Sequence, residues 1–427
     1  MGVSAVSPRP LDRSIEQLLA NEPAGALGAV LPLIEARPDA AALLLAGKAL
    51  ALLGSASAAE ETLKSAVSVA VRARSLSLAA GAVHALRELD VDVTAELQRI
   101  GDALGRPRAE AAPAAPPVLE GETLTPIDAT PAELEARALA AAKSAELAKV
   151  TPSGISPTEK LWLQLGPEGV RAFVRALELE LVAAGHALIE EGGVGDSAYL
   201  AARGELEVRR GDTVLARLGA GNLFGEMALL SRSPRAASVV SVRPSIVLRA
   251  DRTALDRVAE LHPELGQVLA KYCRRRMIEN LVRTSAVLRP LRAAERHALL
   301  DKFVTRTFET GEKLISEGEE GSGIHLVASG SLAVVAGSAG EATRVAVLGA
   351  GDVVGEVAMV LRRPATAAVV ADCPSVTLHL PASEFMAVIK QHPALLAELY
   401  TLAVERHDET RSLLAQQAED ASDLVLF

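Results

Sequence analysis

Two stretches of this chain read alike 130 residues apart, LGAGNLFGEMALL at 218–230 and LGAGDVVGEVAMV at 348–360. The likeness extends upstream: GHALIEEGG at 185–193 returns as GEKLISEGE at 311–319, and AYLAARGELEV at 198–208 as IHLVASGSLAV at 324–334. The offset there is 126 residues, so a four-residue insertion falls in the loop around Gly337 to Arg344. A tandem repeat of this kind demands one fold built twice. Within each copy, short apolar runs recur at about ten-residue spacing between Gly-rich turns, as in a β-barrel or jelly roll.

The chain before the repeat follows a different period. Leu11, Ile15, Leu18 and Leu19 recur at the spacing of one helix face, and apolar runs over 26–37, 40–53, 58–71, 75–89 and 94–104 continue the pattern. The pair around Gly54, GKALALLG and AEETLKSA, is weakly similar to a tetratricopeptide hairpin; a generic Ala-rich helical bundle fits nearly as well. The Pro- and Ala-rich stretch 106–131 reads as a linker, and Thr130 with Glu133 offers a capping box to a helix from Pro131 to Lys149. The predicted class is α+β: two tandem jelly-roll barrels with flanking helices, preceded by an all-α domain. The expected divisions are a helical domain at 1–105, the linker at 106–131, a first barrel with its helices at 132–287, a second at 288–400, and a C-terminal helix and tail at 401–427. One helix is expected from Leu255 to about Val287, and helix again from Phe385 to about Gln417. The acidic, then apolar end EDASDLVLF reads as a disordered or self-packed tail, an added strand, or a docking peptide.

The residues 224–239, FGEMALLSRSPRAASV, carry the most chemistry. Gly225 admits close backbone approach, and Glu226 is an acceptor-only carboxylate suited to a sugar hydroxyl. Met227 to Leu230 can form one helical turn whose free N–H groups face an anion. Arg235 supplies a planar fork that matches two phosphate oxygens.

This stretch closely resembles the phosphate-binding cassette of the cyclic-nucleotide-binding domain family, of the type found in the catabolite activator protein and in regulatory subunits of cAMP-dependent protein kinase. Its pattern, F-G-E-x-A-L, a variable step, then P-R-x-A-S/T-V, is filled at every fixed position. The resemblance implies a cyclic nucleotide held by Phe224, Gly225, Glu226, Met227, Ala228, Arg235, Ala236 and Ala237, with Glu226 on the ribose and Arg235 on the phosphate. It implies a base cap from the following helix, for which Tyr272 and Met277 are the candidates. In that family a hydroxyl directly after the arginine accompanies cGMP; Ala236 has none, which favours cAMP. The second copy keeps Gly355, Glu356 and Ala358, but Ala365 stands where the arginine should be and Val354 replaces the phenylalanine. Arg363 lies two residues away behind Pro364. A weak or empty second pocket is expected, because a buried phosphate needs a compensating charge.

Several function classes are disfavoured. A net charge of −10 argues against direct nucleic-acid binding, and too little chain follows the second barrel for a winged helix. Cys273 and Cys373 make neither a metal spacing nor a disulfide framework, which suits a reducing cytoplasm. The N-terminus shows no signal peptide, and the apolar run 40–53 is too short to span a bilayer. The eight histidines are scattered, and no P-loop, GxSxG, kinase triad or CxxC appears. No enzyme, cofactor or metal is expected. The expected role is a cytoplasmic cAMP-responsive regulator that signals to a protein partner through its helical N-terminal domain or its tail. The linker lacks an Arg-Arg-x-Ser inhibitory site, which weighs against a kinase regulatory subunit. The rivals are a constitutive scaffold with vestigial pockets and a transcriptional regulator acting through a partner.

Overall fold

The computed structural model describes residues 9–107, 124–150, 158–227, 232–337 and 343–424. The chain divides into two compact units: one holds 1–190, 197–226 and 237–270, the other 191–196, 227–236 and 271–427.

The first unit opens with α1 (Pro10–Leu19), α2 (Pro23–Ala36), α3 (Ala40–Leu52), α4 (Ala56–Arg72), α5 (Leu76–Glu88), α6 (Thr94–Leu104) and α7 (Pro131–Leu147). Side-chain caps start several of them. Asp39 accepts from the Ala42 amide at 2.9 Å, and Thr130 and Glu133 close the expected capping box. The second helix begins at Pro23 rather than at Ala26, because a proline in the first turn gives up no needed donor. That helix also contains Pro32, which cannot donate to the Gly28 carbonyl four residues earlier. The Ile127 amide donates to that carbonyl instead, at 2.9 Å. Only glycine permits this approach, since a Cβ on Gly28 would stand 2.3 Å from the Ile127 oxygen.

After α8 (Glu159–Arg175), kinked at Gly166, come eight strands: β1 (Glu178–Val182), β2 (Ala187–Ile189), β3 (Ser197–Arg203), β4 (Leu206–Arg210), β5 (Thr213–Leu218), β6 (Leu223–Phe224), β7 (Ser238–Ser241) and β8 (Ser245–Asp251). They form two four-stranded antiparallel sheets, in orders β1-β8-β3-β6 and β2-β7-β4-β5. Helix α5 packs on β1, β3 and β8, where Gly81 lets Leu179 and Leu44 close in. Buried Asp12 of α1 accepts from Arg203 at 2.8 Å and from Arg243 at 2.8 Å. The compact unit therefore runs across the expected divisions at 105 and 131, and the helical layer is fastened to the barrel.

The single helix expected over 255–287 is two, α9 (Arg252–Leu261) and α10 (Pro263–Thr284). They part at His262, whose ψ of 77° is not helical and which precedes Pro263. The second unit continues with α11 (Ala293–Leu300), β9 (Val304–Phe308), β10 (Lys313–Ile315), β11 (Gly323–Ser329), β12 (Leu332–Ala336), β13 (Thr343–Leu348), β14 (Val353–Val354), α12 (Glu356–Leu361), β15 (Ala368–Ala371), β16 (Ser375–Pro381), α13 (Ala382–Gln391) and α14 (Pro393–Leu424). Its sheets, β14-β11-β16-β9 and β10-β15-β12-β13, repeat the first barrel's strand orders. The register repeats too: His325 faces His379 where Tyr199 faces Arg249, and both copies shift register at the same step of the strand. The last helix continues past Gln417 to Leu424, so the expected division at 400/401 falls inside it.

Candidate ligand sites

In the first unit, β6 delivers Phe224 to a stacked contact with Tyr199, ring centroids 5.3 Å apart. Gly225 then turns the chain at φ 78°, a left-handed conformation that glycine adopts without strain. Glu226 follows, only 6% exposed. A carboxylate so deeply buried is uncommon for a surface-seeking residue and marks the position as built.

The rest of this cassette belongs to the second unit. Met227 packs against an apolar cluster that includes Met277, Leu326 and Leu378, so Met277 contributes to the second barrel's core. Ala228 lies outside the described residues. Arg235, 6% exposed, is fixed through its backbone: its carbonyl accepts from the Gly192 amide at 2.8 Å, and its amide donates to the Gly193 carbonyl at 2.9 Å. Ala236 is exposed and Ala237 half-buried. Tyr272 is buried with the Arg275 guanidinium 5.6 Å from its ring centroid. The Arg274–Arg276 cluster spends its charge locally: Arg274 donates to the Phe303 carbonyl, while Arg275 and Arg276 approach Glu279.

At the positions described in both, the second cassette copies this backbone and changes side chains. Gly355 turns at φ 89°, and α12 completes the helical turn. Arg362 ends that turn in a left-handed conformation, φ 52°, matching Arg232 at φ 56°. The Ala365 carbonyl accepts from the Gly318 amide at 2.8 Å, and its amide donates to the Glu319 carbonyl at 2.8 Å. This is the clamp that holds Arg235, here presenting a methyl group.

A cavity of about 110 Å³ opens beside it. Leu314, Ile315, Val334, Leu348, Val354 and Val369 give it an apolar wall, and Gly355, Glu356, Ala358 and Ala365 all line it. Arg362 and Arg363, the cations nearest in the local sequence, are both exposed and are not part of the lining. The cation that does line it is Arg406 of α14, with Thr410 one turn further on. Its Nη1 donates to Glu356 Oε1 at 2.8 Å and to the Val353 carbonyl. Glu356 is 2% exposed, and its Oε2 has no hydrogen-bond partner among the described residues. Burial pushes this carboxyl above its usual range, and Arg406 works against that rise.

Sequence reasoning missed Arg406. Its only signal is the i, i+4 spacing with Thr410, which puts both on one helix face. It also missed the pair His325 and His379, stacked at 4.3 Å on neighbouring strands. The His325 Nδ1 lies 2.9 Å from Thr377 Oγ1. Burial, then the neighbouring His379 and Arg306, hold the His325 ring down to about 3. Burial and Arg306 lower His379 as well.

Among the described residues there is no group of three or more His, Cys, Asp or Glu placed to hold a metal ion. None of their helices is long and apolar enough to cross a membrane.

Residues 179–262 and 305–392 each match the family model described as "Cyclic nucleotide-binding domain". Each of the two repeats is thus similar, over its barrel, to a cyclic nucleotide-binding domain. Among curated proteins, the cAMP-dependent protein kinase regulatory subunit of Yarrowia lipolytica is 31% identical over 211 residues, 49% of this chain and 54% of that one. The protein of the same name from Mucor circinelloides f. lusitanicus is 30% identical over 211 residues, 49% of this chain and 48% of that one. The match thus spans about half the length of these relatives. Among solved structures, the regulatory domain of Toxoplasma gondii PKA, co-crystallised with cAMP, is 26% identical at a TM-score of 0.29, covering 57% of this chain and 92% of that one.

Proposed function

We propose that this chain is a non-catalytic regulator that binds one cAMP in its first repeat and passes the change to a protein partner. The observation that carries the reading is the complete first cassette, with the two charged residues of its fixed pattern, Glu226 and Arg235, only 6% exposed. Glu226 holds the ribose hydroxyl, and Arg235 sets its fork on the cyclic phosphate, where a charge-assisted bidentate contact is stronger than a neutral one. Ala236 offers no hydroxyl to a guanine amino group, so adenine is preferred. Tyr272 is the aromatic proposed to cover the base.

The relay runs through the helix after the first barrel. Residues 263–284 carry the chain from one compact unit into the other, so a shift there on binding reaches the second repeat directly. Such coupling requires that cAMP bind one of two states more tightly. The output goes to a protein surface; the curated relatives, by name regulatory subunits of a kinase, point to the kind of partner.

Calorimetric titration of the full chain with cAMP tests the reading. One site per chain, lost in Arg235→Ala and weaker for cGMP, is expected. Absence of heat and of any melting shift at millimolar cAMP would leave a constitutive scaffold as the better account.

A further inference from the structure

Two departures from the repeat pattern meet inside the second compact unit. Residues 227–236, which carry Arg235, belong to the same unit as the second barrel. The Ser233 hydroxyl lies 2.5 Å from that of Ser329 on β11, and the two residues are 0% and 2% exposed. That separation is a short O–H···O hydrogen bond, whichever hydroxyl donates. Burying two hydroxyls is costly unless they are bonded, so the contact fixes where the cassette segment lies.

The repeat itself does not require this pair. Ser329 occupies the position that Arg203 holds in the first barrel. Each closes its strand and precedes a left-handed glycine, Gly330 at φ 89° and Gly204 at φ 110°. In the first barrel Arg203 grips Asp12 of α1. Ser233 occupies the position of Arg363 in the second cassette, which is exposed and has its amide on the Ala358 carbonyl at 3.4 Å. Neither serine recurs in the other copy, yet the two stand side by side. The strand end is thus a grip in both barrels, on a helix in the first and on the other repeat's cassette in the second.

What the second grip holds is the arginine fork. Only Pro234 separates Ser233 from Arg235, and its ring fixes φ at that step. The Arg235 amide and carbonyl are bonded to Gly193 and Gly192 of the same unit. Met227, at the start of the segment, packs on the second barrel's apolar cluster. A guanidinium held in this way loses less freedom on meeting two oxygens than one on a loosely held segment.

We propose that Ser329 of the second repeat is a positioning residue for anion binding at Arg235 of the first. The second barrel serves the first site as a platform, although its own clamp presents Ala365. The role rests on Arg235 binding the cyclic phosphate, as proposed above.

Calorimetric titration of the full chain with cAMP tests this in Ser329→Ala, Ser233→Ala and the double variant. Each single substitution should weaken binding about three- to tenfold, as expected for the loss of one hydrogen bond. The double variant should bind within about twofold of either single one, because both substitutions remove the same contact. Thr377→Val removes another buried hydroxyl of the second barrel, the one beside His325. It should lower the melting temperature and leave cAMP affinity as in wild type, which separates positioning from a general loosening of the barrel. Binding by wild type that Ser329→Ala leaves unchanged overturns this proposal alone. So do additive losses in the double variant, or an equal loss of affinity in Thr377→Val. Should wild type bind no cAMP, the functional reading falls first and the role of Ser329 with it.

Discussion

The two barrels share strand order, register, a left-handed glycine before the cassette helix and the same pair of backbone hydrogen bonds around the cassette's arginine position. They differ in what that frame presents. The first has Tyr199 stacked on Phe224, and Arg235 in the clamp. The second has His325 stacked on His379, Ala365 in the clamp, and a cation brought from α14 to the carboxylate. Main-chain hydrogen bonds and glycine conformations maintain the fold, so side chains at the clamp can change without disturbing it. Ligand choice is thereby uncoupled from architecture.

The largest expected effect removes the distinguishing residue. Arg235→Ala should weaken cAMP binding about 100-fold or more, since a buried ionic contact to phosphate is lost. An unchanged isotherm would place the cAMP site elsewhere. Next comes the converse: Ala365→Arg, set in a backbone clamp that already matches, should raise cAMP affinity in the second repeat by about ten- to a hundredfold. Stoichiometry from calorimetry should then rise from one to two; if it stays at one, the backbone likeness is not sufficient.

Arg406→Gln should lower stability by about 1–3 kcal/mol, because Glu356 Oε1 loses a charged partner yet can escape the cost by protonating. Denaturant midpoints measure it, and a midpoint equal to wild type would show that the ion pair contributes nothing net.

Acid should separate the barrels further. The His325 ring is held down to about 3 when folded, below its unfolded value, so the unfolded chain takes up protons first. Its contribution is present above about pH 6.5 and is lost as pH falls towards 3, at up to about 1.4 kcal/mol per pH unit. Glu356 contributes with the opposite sign, its raised carboxyl favouring the folded state as pH falls. The difference between wild type and His325→Phe isolates the histidine. Parallel pH profiles for the two proteins would count against the burial that sets this shift.

Much of this was legible in the sequence, for identifiable reasons. The repeat could be read because glycines that take left-handed turns tolerate little else, which keeps LGAG and the Gly-Glu pair of the cassette recognisable in both copies. The cassette could be read because its chemistry lies within sixteen consecutive residues. Arg406 could not, since it sits 50 residues from Glu356 and reaches it only through the course of α14. The histidine pair was hidden in the same way, 54 residues apart and joined by strand register. The break at His262 is readable from Pro263, which disfavours helical backbone at the residue before it.

The bond between Ile127 and Gly28 has a consequence for chain length. Pro32 strands one helical carbonyl, and an amide about a hundred residues later fills it; three positions beyond that amide, Thr130 caps α7. The short step from 127 to 130 thus works as a gauge between two fixed points. One residue inserted there cannot satisfy both marks: either the stranded carbonyl goes without its donor or the cap slips off its helix. The same insertion a few residues earlier in the linker leaves both marks in place, so the tolerance of this connection to length changes should alter sharply between Leu124 and Thr130.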